Sequence, residues 1–414
     1  MVATIESLQA KCPGARLTVL TQFDAIDRPE GQSFDITDLG VQEIPWMTTP
    51  AAKLRGPQLI VKALLNAILI RATYLPGLSL LLHLPIGALP AIKAMRRADV
   101  IVSKPGGFFY GYSRLPGPHH MLHFYLASLC RRPLVIYGQS IGPFSDAVNF
   151  KWVRNVLGRA TAILVRDQKS KDICLGKLQL SPEKVILTAD EAFRFHGAAS
   201  DPPSDEDSTL RRVGLTLINW HFPGQSDPDQ TRQNYLDAMR SLVCHIFDKH
   251  HAAVDLFTFL RASSVAPGDE ATTREFYNDV KDLGDIRIMV PNDPRHVKSE
   301  MQKVDVFVGS RMHSNIFALG EGIPVLAIAY QHKTTSIMSM AGLSDYVLDI
   351  NHLDAGELIE RFDALVQNRF DLRKTVRTAV ADIAERAGQN AELTRQIATG
   401  TAVTDLVQST GNRD

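Results

Sequence analysis

Three residues with chemical potential stand close together in this 414-residue chain: Arg311, His313 and Lys333, in the run RMHSNIFALGEGIPVLAIAYQHK. Each follows an apolar segment, Arg311 and His313 after Val304–Val308, Lys333 after Ile323–Tyr330. A guanidinium forms a planar fork that fits carboxylate or phosphate, and an ammonium serves as a point charge for the same groups. Arg-x-His followed by a lysine at the next strand end therefore reads as an anion-binding corner. For any one of the three residues alone, a surface arginine or a helix-capping histidine is the plainer alternative.

The corner needs elements to hold it. Alternating Val304, Val306 and Val308 predict a strand, Gly309 and Ser310 a tight turn, and Arg311–Leu319 a helix that Gly320 and Gly322 can stop. Ile323–Tyr330 reads as the next strand, with Pro324 near its start, where proline is tolerated. This strand–turn–helix–strand order is a βαβ unit. Arg311 and His313 fall in the first helical turn, where free N–H groups and the positive end of the helix dipole meet. A base there works against the dipole, so a bound phosphate or carboxylate is expected to offset it.

The length calls for two domains. Residues 1–195 read as an N-terminal α/β domain, 196–211 (HGAASDPPSDEDSTLR) as a linker, and 212–414 as a C-terminal α/β domain ending in long helices. The last helix is a candidate to fold back on the first domain. Strand ends in the first domain carry glycines and polar groups again and again. These are Lys104-Pro-Gly106-Gly107, Gly138-Gln139-Ser-Ile-Gly-Pro143, Arg166-Asp167 and Asp190. In open α/β sheets ligands bind at that edge. Gly106 and Gly107 are expected to form a turn that brings backbone amides to a ligand. Gln139 offers hydrogen bonds. Arg166 either contacts a ligand or belongs to a structural network with Asp167. The aromatic run Phe108–Tyr112 could stack on a sugar ring or form an apolar lid.

Acidic and basic residues balance at 45 each, and no charge run points to nucleic acid. Cys12, Cys130, Cys174 and Cys244 are far apart, which fits a reducing cytoplasm and no disulfide framework. No metal site is expected, because HExxH, CxxC pairs and clustered aspartates are missing. P-loop and GxGxxG patterns are missing too, so no nucleotide cofactor is expected. Residues 57–95 are the most apolar part, yet Lys62, Arg71, His83 and several prolines break any spanning run. They read as core helices or as a membrane-facing patch giving peripheral membrane contact.

The segment RMHSNIFALGEGIPVLAIAYQHK, then AGLSDYVLDI, resembles the signature of the polysaccharide pyruvyl transferase family, and Gly138-Gln-Ser-Ile-Gly-Pro143 and Val165-Arg166-Asp167 resemble further family segments. The resemblance implies two Rossmann-like domains facing across a cleft, in a GT-B-like α/β fold. It implies transfer of a pyruvyl group from phosphoenolpyruvate to a saccharide acceptor, lipid-linked or nucleotide-activated, in polysaccharide or exopolysaccharide biosynthesis. Arg311 and Lys333 would then hold the donor. His313 would be its general acid, and Arg166, Gly106, Gly107, Gly138 and Gln139 would line the acceptor side. The chain departs from the family at its start, which lacks the expected first strand and its Asn-x-Gly-Asp loop, and near Phe108, where the family has an acidic residue. A glycosyltransferase using a nucleotide sugar, or a non-catalytic carbohydrate-binding relative, are the alternatives.

Overall fold

The computed structural model describes residues 1–21, 36–45, 56–111, 117–144, 147–195, 209–260, 268–290 and 293–410. Most of the linker expected at 196–211 lies outside them, as does Tyr112. The chain divides into two compact units. The first takes the described residues up to Glu191 together with those from Glu385 onward, and the second takes Ala192–Ala384. This corrects the assignment of 212–414 to one domain. The boundary falls inside the helix Arg369–Ala398, a single 30-residue helix whose apolar positions serve a different core in each half.

In the first unit, β1 (Thr18–Thr21) and β2 (Gln42–Pro45) form a parallel pair of their own. The main sheet holds β3 (Ile101–Val102), β4 (Gly106–Gly111), β5 (Leu134–Phe144), β6 (Ala162–Val165) and β7 (Val185–Leu187), all parallel where paired. The long β5 is the spine. β3 pairs with its first residues and β4 with its last. Alternation along β5 explains the layering. Leu134 and Ile136 join the core with Ile92, Met121 and Leu157, while Val135 and Tyr137 face Leu393 and Ile397 of the C-terminal helix.

Two glycine-rich stretches depart from the sequence reading here. Gly106 and Gly107 begin β4 rather than forming a ligand-facing turn, and neither has a positive φ. Gly138 to Pro143 is not a loop but part of β5, with Gly138 at φ 54° and Gly142 at φ 73°. Left-handed glycines inside a strand accommodate irregular pairing, and the register of β5 against β6 shifts between Ile136 and Gln139.

The second unit is a six-stranded parallel sheet: β8 (Arg212–Thr216), β9 (Ala253–Phe257), β10 (Ile286–Met289), β11 (Val306–Gly309), β12 (Val325–Ala329) and β13 (Val347–Asp349). The spatial order is β10-β9-β8-β11-β12-β13. The chain therefore runs outward from β8 to one edge, then returns to start again at β11. Between β8 and β11 lies the topological switch point of a doubly wound sheet, where the carboxyl ends of the strands leave a crevice. Buried Val213, Leu215, Val254, Leu256, Val306 and Val308 form one face of the core with Leu242 and Phe362 from the covering helices.

Gly309, the last residue of β11, admits no side chain. A Cβ there would sit 1.7 Å from Asn315 Oδ1 and 2.9 Å from Phe307. Asn315 is fully buried and its amide donates to the Gly309 carbonyl at 3.2 Å. Gly309→Ala should destabilise the chain by about 1–3 kcal/mol, the usual cost of overpacking, seen as a lower denaturant midpoint at unchanged slope.

Candidate functional site

The corner between β11 and its helix is built from small polar side chains that tie β8 to β11. Ser310 N–H donates to Thr216 Oγ1 at 3.0 Å, and Thr216 Oγ1 lies 2.9 Å from Ser314 Oγ. The Tyr235 hydroxyl reaches Ser310 Oγ at 2.9 Å and accepts from the Ile218 N–H at 3.3 Å. Burial pushes the Tyr235 phenol up to about 12, so it stays a neutral strut.

Arg311 is not in the first helical turn, as its sequence position suggested. The helix is Met312–Gly320, and Arg311 is its N-cap in extended conformation. Its guanidinium forks onto one carboxylate: Nε donates to Asp269 Oδ2 at 2.8 Å and Nη2 to Oδ1 at 2.6 Å. Asp269 Oδ1 also accepts the Asn219 N–H at 2.9 Å. The Asp269 side chain is fully buried and that of Arg311 is 19% exposed. Burial alone would lower the arginine's pKa, but the hydrogen bonds and charge of Asp269, with help from Tyr330, turn the net shift upward. The anion expected to offset Arg311 is thus supplied by the protein itself.

Asp269 is the functional candidate that sequence reading missed. It precedes the helix Glu270–Val280 as its N-cap, yet its side chain makes no capping hydrogen bond. Asp227, Asp293 and Asp354 do cap their helices in this unit, accepting from Gln230, Arg295 and Glu357 N–H groups. Asp269 is diverted to Arg311. The helices Met312–Gly320 and His332–Met340 also start without a side-chain cap and without an acid in the first turn. They follow the adjacent strands β11 and β12, so two helix N-termini lie at one sheet edge beside the switch point. His313 and Lys333 hold the same place in them, the second helical residue. His313 is exposed and Lys333 half-buried. Trp220, just past β8, packs on Tyr330, just past β12, with ring centroids 4.6 Å apart.

In the first unit the polar residues at the strand ends bond mainly to one another. Arg166 is 4% exposed. Its Nε donates to Ser140 Oγ at 2.8 Å and its Nη1 pairs with Asp190. Ser140 donates to Asp167 at 2.9 Å, and Asp167 caps the next helix through the Ser170 N–H at 2.8 Å. Asp167 is therefore the cap of the helix Gln168–Asp172. Gly138-Gln-Ser-Ile-Gly142 also spells the G-x-S-x-G of a nucleophile elbow. Ser140, however, lies inside a strand, between a guanidinium and a carboxylate, not on a strand-to-helix turn beside an imidazole. Gln139 is fully buried and donates to the Lys104 carbonyl, tying β5 to the segment before β4. Phe109 is core, stacked on Phe124 at 5.2 Å, so it is no sugar platform.

Comparison with known proteins gives a consistent reading. The family model described as polysaccharide pyruvyl transferase matches residues 3–332. The amylovoran biosynthesis protein AmsJ of Erwinia amylovora is 24% identical over 304 residues, covering 69% of this chain and 70% of that protein. Among solved structures, a UDP-GlcNAc 2-epimerase from Neisseria meningitidis superposes with TM-score 0.55 at 11% identity, covering 95% of both chains. A glycosyltransferase from Rickettsia africae does so with TM-score 0.55 at 11% identity, covering 96% of this chain and 94% of that one. The structural likeness bears on the fold, a pair of Rossmann-like α/β units of the GT-B-like class. The sequence match spans both units and includes the β11–β12 corner, and it makes the chain a member of the polysaccharide pyruvyl transferase family.

Proposed function

We propose that this chain transfers the pyruvyl group of phosphoenolpyruvate to a saccharide in exopolysaccharide biosynthesis. One observation carries the reading. In a chain of this family, the Arg311–Asp269 pair is locked at the switch point beside two uncapped helix N-termini that bear His313 and Lys333. Phosphoenolpyruvate carries a carboxylate and a phosphate on one small carbon frame, and helix-end N–H groups with cations suit both. Asp269 occupies two of the five guanidinium donors and fixes the plane of the fork. Others remain for Tyr330 and the donor carboxylate.

The chemistry follows from the donor. His313 gives a proton to the methylene carbon, which becomes a methyl group and leaves an oxocarbenium-like centre at the carbon bearing the phosphate. A sugar hydroxyl adds there, and its proton passes to the departing phosphate. The bond to the phosphate oxygen breaks and releases inorganic phosphate. A second hydroxyl of the same sugar closes the ketal, and its proton balances the one His313 gave. The donor is assigned to the second unit.

The test is to incubate the purified chain with phosphoenolpyruvate and candidate lipid-linked or nucleotide-activated saccharides. Acceptor-dependent release of inorganic phosphate is the expected result. Release of a nucleoside diphosphate from a sugar nucleotide without use of phosphoenolpyruvate would replace this reading with glycosyl transfer. Sugar binding without turnover of either donor would leave a carbohydrate-binding protein.

We also propose that the acceptor is met at a membrane surface. Among the described residues no helix is long and apolar enough to cross a membrane. Yet the helix Gly56–Ala72 is apolar on its outer side as well as its inner one: Ala63, Asn66 and Ile70 are buried, while Val61, Leu64, Leu65 and Ile68 are 56–64% exposed. Leu75, Leu80 and Ile86, in the segment that follows the helix, are exposed as well. From Ile44 to Ala98 the sequence has no Asp or Glu, in a chain that is otherwise balanced, and Lys62, Arg71, Lys93 and Arg97 lie in that span. Exposed leucines with cations and no anions match an anionic bilayer surface. The wild-type chain should co-sediment with phosphatidylglycerol vesicles, more weakly as salt rises. Leu64→Glu with Ile68→Glu should remove that binding; undiminished binding would refute the assignment.

A further inference from the structure

A separate cluster lies on the covering helices of the second unit. The helix Pro228–His245 passes directly into a π-turn, Ile246–His250. In an α-helix, residues five apart point about 140° away from each other. A π-turn closes its hydrogen bonds at i+5 and returns the fifth residue to the same face. His245 and His250 therefore stand side by side, ring centroids 5.6 Å apart and planes at 73°. Both Nε2 atoms reach one oxygen, Asp363 Oδ1, at 2.9 and 2.8 Å. Asp363 belongs to the helix Ala355–Gln367. The two nitrogens and the carboxylate oxygen all lie within 4.8 Å of one another. Their side chains are 21%, 15% and 27% exposed, sheltered but open to solvent. Phe362 meets the His250 ring edge-on at 5.7 Å and fixes its plane. Lys249 donates to the other carboxylate oxygen, Oδ2, at 2.6 Å.

We propose that His245, His250 and Asp363 form a binding site for one divalent transition-metal ion of the zinc class, which clamps the end of one covering helix to its neighbour. Two imidazole nitrogens and a carboxylate oxygen are the ligand set such ions take, with a fourth position for water. Ligand distances of about 2.0–2.2 Å around a tetrahedral centre put ligand atoms roughly 3.3–3.5 Å apart. The present spacing of 2.8 and 2.9 Å then has to open by only about half an ångström. Lys249 remains on Oδ2 as an outer partner that orients the carboxylate. The sequence reading found no metal site because the histidine spacing is off the helical period and Asp363 lies 113 residues beyond His250. The ion's role is to hold two helices together, and its binding does not depend on the proposed transfer reaction.

The test uses the full chain, stripped with EDTA and then titrated with Zn²⁺ by calorimetry and with Co²⁺ by visible absorption. The expected result is one ion per chain, d–d bands of a four-coordinate nitrogen–oxygen site, and a raised melting temperature. Loss of an outer partner alone costs a metal site roughly 10–100-fold in affinity, so loss of a ligand costs at least that much. His250→Ala and Asp363→Asn should each weaken binding to that extent and erase the Co²⁺ bands, with helicity checked by circular dichroism. Lys249→Gln keeps all three ligands and should keep the bands. His245→Gln replaces any variant that does not fold. Binding that persists unchanged in the ligand variants, or no binding by the wild-type chain at micromolar metal, would overturn the site.

Discussion

Replacing His313 by alanine should stop acceptor-dependent phosphate release while leaving phosphoenolpyruvate binding intact. A positioned general acid contributes roughly 10²–10⁴-fold to rate, so kcat is expected to fall by about that factor. His313 is exposed at the second position of its helix, so truncation leaves no core cavity and the melting temperature should hold. Two measurements decide the matter, phosphate release with saturating acceptor and a direct titration of the chain with phosphoenolpyruvate. An unchanged kcat would move the acid elsewhere. If donor binding is lost along with kcat, His313 acts as an anion ligand rather than a proton donor. Lys333→Ala serves as the contrast. As a charge on the donor it should raise KM more than it lowers kcat.

The contrast between the two residues shows how far sequence alone reached. Val306, Val308 and the Gly309-Ser310 turn announce a strand and a corner by period and by turn chemistry, and the structure has them within two residues. The central strands β8, β9, β11 and β12 follow the same logic, because buried parallel strands are short, mainly apolar runs bounded by turn residues. Partnership across the sheet leaves no such trace. Asp269 lies 42 residues from Arg311 and, read locally, is an ordinary helix cap. Only the fold reveals that its carboxylate is turned away from its own helix. The glycines misled for the opposite reason. Gly106, Gly107 and Gly138 carry strong turn propensity, but pairing with neighbouring strands overrides it and draws them into β4 and β5. Arg166 was legible as a polar residue at a strand end. That Ser140 and Asp190 would engage it depends on β5, β6 and β7 lying side by side, which no local pattern encodes.

Removing Asp269 should be the most damaging single change in the second unit. Asp269→Ala leaves the half-buried Arg311 guanidinium without its carboxylate and the Asn219 N–H without its acceptor. Breaking a buried pair in this way costs about 3–5 kcal/mol, because the remaining charge stays desolvated and uncompensated. Chemical denaturation should show that loss, and donor binding should fall with it. The single variant cannot tell a structural pair from a binding one, but a double variant can. Replacing both partners with apolar residues of similar volume, Asp269→Leu with Arg311→Met, removes the stranded charge. Such exchanges are often neutral or stabilising, so stability should return to near the wild-type value. If the pair exists only to tie the start of the helix Glu270–Val280 to the end of β11, phosphoenolpyruvate binding should return with stability. If Arg311 offers its remaining N–H groups to the donor carboxylate, the double variant will fold and still fail to bind. The second outcome is the expected one: a fork fixed in place by an internal carboxylate loses no side-chain freedom when the donor arrives, and that preorganisation is what a small, doubly anionic ligand requires.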